Sequence, residues 1–309
     1  MPVSLDDVYA ARERIAPYVH RTPLHPMPGG PQLKLENLQV TGSFKPRGAF
    51  NHVLALRDQC ERGIITASSG NHGQAVAYVA EMLGLRAVVV VPEDVVPTKA
   101  AAITAFGAEL IRHGRYSEER AAFAQDLAGR RGLHYVPPFD DPLIIAGQGT
   151  AGLELVEQCP RVEVVVVPVS GGGLISGIAT AVKELRPKTR VIGAEPAGAD
   201  RFARSRAAGA AVKLDRAETV ADGLRVLTPG RLTWEVTSRY VDEFRTIDDK
   251  EILTALRLLL LDAHVVAEPS GSASVACALK LGLTGPAAVV VVSGGNVDPA
   301  LLSDILSPS

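Results

Sequence analysis

Four short apolar runs constrain this chain more than any other feature: RAVVVVP at 86–92, VEVVVVPV at 162–169, RVIGAEP at 190–196 and AAVVVVSGG at 287–295. They are apolar along their length rather than in alternation. A strand tolerates that when both of its faces are covered, as in a parallel sheet clad with helices. Between and around them lie segments with apolar residues at helical spacing, among them GQAVAYVAEMLGL, TKAAAITAFGAEL, SEERAAFAQDLAGRRG and KEILTALRLLLLDA. The expected class is therefore α/β. Ligands of such sheets sit at the carboxyl ends of the strands, which directs attention to the turns after these runs.

Composition narrows what those turns bind. With 309 residues, 47% of them hydrophobic, and a formal charge of −2, the chain reads as an ordinary soluble protein of one or two domains. It has no run of like charges, so neither nucleic acid nor an anionic membrane surface is expected as a partner, and a small molecule is. No stretch approaches the roughly 18 apolar residues of a membrane span, and the opening MPVSLDDVYAARERIAP has no apolar signal core, so a cytoplasmic location is expected. Cys60, Cys159 and Cys277 are far apart and form no CxxC pair. They read as buried, inert thiols rather than as a metal site or a disulfide framework.

The turn VPVSGGGLISG at 167–177 joins a strand to a helical segment. Glycines allow a ligand close to the backbone, and a helix start offers unpaired N–H groups to an anion. It is not a Walker A loop, because Ile178 and not Lys follows Gly177. Gly171, Gly173 and Ser176, with Glu195 about twenty residues on, come near a dinucleotide fingerprint. A nicotinamide-dependent oxidoreductase therefore stays open at this point, as does a tight turn with no ligand.

A second turn, TASSGNHGQAVAYVA, gathers Ser68, Ser69, Gly70, Asn71 and His72 before another helix. It offers a second anion cradle, or merely a helix capped by Ser69 or Asn71. A third, VVSGGNVD, sets Ser293 at a strand end, where its hydroxyl could meet a neutral ring nitrogen. Lys45 lies between Phe44 and Pro46 at a turn that opens a helix, a poor place for an ammonium. A lysine of lowered pKa is what imine chemistry requires. Arg47, two residues later, reads as an ordinary solvated charge. A Schiff-base lysine, two anion cradles and a serine for a ring nitrogen together describe a pyridoxal phosphate enzyme acting on an amino acid.

The segments GSFKPRGA, SSGNHGQAVAY, PFDDPLIIAGQGTAGLEL, VPVSGGGLISGIA, VIGAEP, VADGLRV, AEPSGS and VSGGNVD, in that order, resemble the threonine/serine dehydratase and serine racemase family over nearly the whole chain. The resemblance implies a fold like that of the tryptophan synthase β-subunit, with two open, mostly parallel sheets and helices on both faces. It further implies a large cofactor domain from residues 1–57 and 142–309, a small domain at 58–141, and a homodimer. Lys45 would carry the cofactor and take the Cα proton, with Ser69 on the opposite face. Phe44, Asn71, Gly223, Glu268 and Ser293 would line the cofactor, and Asn71 would bond its ring hydroxyl. Ser170, Gly171, Gly172, Gly173 and Leu174 would hold its phosphate, and Ser68 to His72 the substrate carboxylate. The implied reaction turns L-threonine or L-serine into a 2-oxo acid and ammonia. Serine racemisation and dehydration of 3-hydroxyaspartate are the alternatives.

Two departures from the family pattern carry weight. Ser170 replaces the first of four glycines and is expected to be tolerated. Many members bind a divalent cation through a glutamate, a carbonyl four residues on and an acid two further. The matching positions here are Glu195, Ala199 and Arg201, so no divalent cation is expected and Arg201 is expected to pair with Glu195 instead. Phe139 tilts the resemblance towards the dehydratases. The chain ends soon after SGGN, so no regulatory domain and no feedback inhibition are expected.

Overall fold

The computed structural model describes residues 2–114 and 117–306. Its strands are β1 (Leu24–Pro26), β2 (Pro31–Leu35), β3 (Ile64–Ala67), β4 (Ala87–Val91), β5 (Glu109–Arg112), β6 (His134–Tyr135), β7 (Val164–Pro168), β8 (Arg190–Pro196), β9 (Glu243–Ile247) and β10 (Gly285–Val292). They form a six-stranded sheet in the order β1-β2-β10-β7-β8-β9 and a four-stranded sheet in the order β5-β4-β3-β6. Only the β1–β2 pairing is antiparallel among them. The smaller sheet comes from one continuous stretch, while the larger draws on the chain to either side of it.

The apolar runs became strands for the expected reason. Val88 to Val91, Val165 to Val167 and Val289 to Val292 are all buried, since helices cover both faces of each sheet. In the larger sheet the helix Pro269–Lys280 packs across β7 to β10, and the helix Gly173–Leu185 lies over β7. Each valine so enclosed contributes on the order of 1.5–3 kcal/mol relative to exposure. TKAAAITAFGAEL departs from its helical spacing. The helix there is Pro97–Thr104, and Gly107 at φ 74° turns the chain so that Glu109–Arg112 can pair with β4. The ladder beside β4 overrides the periodicity.

Arg47 is not a solvated charge. It is fully buried and bonds Glu36 through Nε (2.7 Å) and Nη2 (2.8 Å), and Glu154 through Nη1 (2.7 Å) and Nη2 (2.9 Å). Lys34, also buried, completes the group at 2.6 Å from Glu154. Two cations and two carboxylates thus join β2, the helix Lys45–Ala55 and the helix Pro142–Gln158, locking the helix that Lys45 begins. Cys60 and Cys277 are buried as expected, but Cys159 is half-buried, its Sγ 3.3 Å from the Pro286 carbonyl. Among the described residues no helix is long and apolar enough to cross a membrane.

Candidate active site

The carboxyl ends of β3, β7 and β10 supply the loops singled out in the sequence, and the lysine helix meets one of them directly. The Phe44 amide donates to the Ser293 carbonyl at 3.1 Å, and Ser43 bridges to Gly294. Lys45, first residue of its helix, therefore stands beside the end of β10. Its Nζ donates to the Pro138 carbonyl at 2.9 Å, and no carboxylate among the described residues lies within ion-pair distance. Desolvation, with no anion to oppose it, lowers this amine to about 8.

Pro138 begins a short segment that organises much of the site. The ring of Phe139 lies against the glycine loop so closely that a Cβ on Gly171 would stand 2.4 Å from it. Asp140 accepts the amides of Arg231 (2.9 Å), Leu232 (2.8 Å) and Thr233 (3.1 Å), capping one helix. Thr233 Oγ1 in turn donates to the Gly171 carbonyl at 2.7 Å. Asp141 caps the helix Pro142–Gln158 by accepting the amides of Leu143 and Ile144, both at 2.9 Å. It also meets His52 Nδ1 at 3.0 Å, and His52 Nε2 faces His134 Nε2 at 2.9 Å.

The glycine loop leaves β7 and turns into the helix Gly173–Leu185 through Gly172, whose φ of 93° favours glycine. The Ser170 hydroxyl is shielded from solvent and has no hydrogen-bond partner among the described residues. An unpaired donor at a helix start suits an anion such as a phosphate monoester.

In the asparagine loop, the cap of the helix Asn71–Leu83 is Gly70, with no side-chain bond, so neither Ser69 nor Asn71 serves as the cap. Asn71 reaches across to the other sheet instead. Its Nδ2 donates to Glu268 Oε1 and its Oδ1 accepts from Asn296 Nδ2, both at 2.7 Å. Burial, assisted by Asp222, pushes Glu268 up to about 8. Ser68 Oγ accepts the Gly70 amide at 3.3 Å. His72 is buried with Nε2 3.1 Å from the Val136 carbonyl, and burial beside Lys45 pushes it down to about 3, so it is a neutral imidazole. The Gly223 amide donates to Ser270 Oγ at 3.0 Å, in the helix that Glu268 caps. Ser293 is buried at the end of β10.

Named contacts thus join Lys45, Asn71, Glu268 and the Ser293–Gly294 turn, and Pro138–Phe139 links them to the glycine loop. Asn296, the capping pair Asp140–Asp141 and the His52–His134 contact were not anticipated. The Asp141-Pro142 step was the readable signal, being a favoured helix start. Glu195 is fully buried and accepts the amides of Phe202 (3.0 Å) and Ala203 (2.8 Å). It is not free for a ribose hydroxyl, which removes the acidic residue on which the nicotinamide reading stood.

The model for the family described as pyridoxal-phosphate dependent enzyme matches residues 15–295. The chain is 40% identical to the L-threonine ammonia-lyase of Thermotoga maritima, over 99% of this chain and 78% of that protein. A solved threonine deaminase, from T.th., superposes with a TM-score of 0.90 at 44% identity, covering 99% of this chain and all (100%) of that one. Maize serine racemase gives a TM-score of 0.94 at 37% identity, covering 98% and 97%.

Proposed function

Because the chain belongs to the pyridoxal-phosphate dependent enzyme family, we propose that it is an ammonia-lyase converting L-threonine or L-serine to a 2-oxo acid and ammonia. The observation that carries this reading is Lys45, a lysine beside two anion-accepting loops and held by a carbonyl rather than a carboxylate. When bound, pyridoxal phosphate supplies a conjugated ring that withdraws electrons from the substrate Cα. Lys45 would hold its aldehyde carbon and then accept the Cα proton. Ser170, Gly171, Gly172, Gly173 and Leu174 would hold the phosphate, while Phe44, Asn71, Gly223, Glu268 and Ser293 would line the ring. Ser68, Ser69, Gly70, Asn71 and His72 would receive the substrate carboxylate. Ser293, a neutral hydroxyl, would meet the ring nitrogen without protonating it, and would so temper the electron withdrawal that the ring supplies.

The proposal includes a large domain of residues 1–57 and 142–309, a small domain of 58–141, and a homodimer in the cytoplasm, a reducing setting in keeping with three free thiols. It also dispenses with a divalent cation. The Arg201 guanidinium stands 3.8 Å from Glu195 and donates to the Ala199 carbonyl, so the three positions do not fit a cation that needs oxygen ligands. Activity that vanished in chelator and returned with magnesium would overturn this.

The test of the activity is incubation with L-threonine, L-serine and 3-hydroxyaspartate, following the 2-oxo acid formed and the chirality of the amino acid left. Formation of 2-oxo acid from threonine or serine, lost in Lys45→Ala, is expected. Ser69 keeps racemisation as the second reading, and accumulation of the D-amino acid would favour it.

A further inference from the structure

Arg201 is one of the largest fully buried side chains in the protein. Its Nη1 donates to the carbonyls of Val169 (3.1 Å) and Ser170 (2.8 Å), and its Nη2 to those of Ala199 and Leu224 (2.6 Å to Leu224). The four terminal N–H groups are therefore spent on backbone from three segments: the entry to the glycine loop, the turn after β8, and the turn that carries Gly223. Planar guanidinium geometry permits this fan of bonds, which a lysine ammonium would not reproduce.

The two bonds to the loop have a consequence for the opposite side of the backbone. In a trans peptide the carbonyl of one residue and the N–H of the next share a plane and point in opposite directions. Fixing the carbonyls of Val169 and Ser170 on Arg201 aims the amides of Ser170 and Gly171 away from it. Those two amides have no acceptor among the described residues, and the Ser170 hydroxyl beside them is also unpartnered.

We propose that Arg201 is a positioning residue for a phosphate monoester: it orients the Ser170 and Gly171 amides towards the phosphate and ties their loop to the Gly223–Leu224 turn. This rests on the cofactor reading above and assigns to Arg201 the selection of the phosphate end.

The experiment compares the affinity of the apoprotein for pyridoxal phosphate with its affinity for pyridoxal, which lacks the phosphate, in wild type, R201K and R201Q. Visible absorption and quenching of Trp234 fluorescence follow binding. The variants are expected to weaken pyridoxal phosphate by roughly 10–100-fold, the scale seen when a supporting contact behind a ligand site is lost. Pyridoxal affinity is expected to fall several-fold less, because of the residues lining the ring only Gly223 lies on a segment that Arg201 holds. If the ratio of the two affinities matches wild type in the variants, whether or not both fall, the proposal is wrong. R201Q, which keeps amide donors, serves should R201K fail to fold. A wild-type protein that forms no borohydride-sensitive band with pyridoxal phosphate would sink the cofactor reading instead, so the two failures are distinguishable.

Discussion

Lys45 donates from Nζ to the backbone carbonyl of Pro138 at 2.9 Å, across 93 positions of sequence. That contact positions the amine without neutralising it, and desolvation lowers it to about 8. The free amine is the form that attacks an aldehyde, so the apoprotein should acquire its visible band with pyridoxal phosphate at a rate that rises with pH and levels off above about 8. Stopped-flow absorption across pH 6 to 11 would measure it. A rate still rising through pH 10 would show that Lys45 titrates as an ordinary lysine, near 10.4.

The close approach of Phe139 to the glycine loop gives a second expectation. Gly171→Ala would place a Cβ 2.4 Å from the ring, and overpacking of that kind costs about 1–3 kcal/mol. Cofactor affinity should fall, and Phe139→Ala in the same protein should recover part of it by vacating the clash. Equilibrium titration of the four proteins in the cycle measures the coupling. Purely additive effects would mean that the ring does not shape the loop.

Acid should loosen the contact between His52 and His134. Two Nε2 atoms at 2.9 Å can share one proton but not two, and His52 already faces Asp141 through Nδ1. Burial and the neighbouring His52 hold His134 below the usual imidazole range, and His72 lies lower still at about 3. A histidine with a depressed folded pKa contributes its full stability above about pH 6.5. That contribution falls as the unfolded chain takes up protons the folded one refuses, by up to about 1.4 kcal/mol per pH unit for each imidazole. Glu268, pushed up to about 8, shifts total stability the other way between pH 7.5 and 5. The histidine share is therefore read as the difference in urea stability between wild type and His134→Gln, which should shrink as pH falls through that range. A difference between the two proteins that stays constant over that range would remove the argument.

The strands and the glycine loops were legible because each is a local signal. The four apolar runs need no knowledge of their neighbours to read as buried strands, and the GGG turn announces a helix start. What could not be read depends on contacts between distant segments. Arg47 looks like a surface charge until Glu36, eleven positions back, and Glu154, 107 positions on, are brought to it. Asn71 reads as a cap until Glu268 and Asn296 approach from the other sheet. Phe106-Gly107 lies within a helical pattern that fails only because β4 offers a strand partner to Glu109–Arg112.

The buried group around Arg47 supplies the last expectation. Arg47→Met would leave Glu36 and Glu154 with Lys34 as their only cation in the group, and breaking a buried pair from one side costs about 3–5 kcal/mol. Arg47→Lys should fall in between, since an ammonium cannot bond both carboxylates in the forked manner seen here. The Arg47→Met/Glu36→Gln double variant, with one charge removed from each side, should recover part of the loss. Arg86, exposed and 3.9 Å from Glu109, is the control, and its replacement by Met should change stability by less than about 0.5 kcal/mol. Urea denaturation of the four variants gives the ranking. Because the group holds the helix that Lys45 begins, the same ranking should reappear in the intensity of the cofactor band at fixed pyridoxal phosphate. An Arg47→Met protein that lost stability but kept the full band would confine the group to holding the fold.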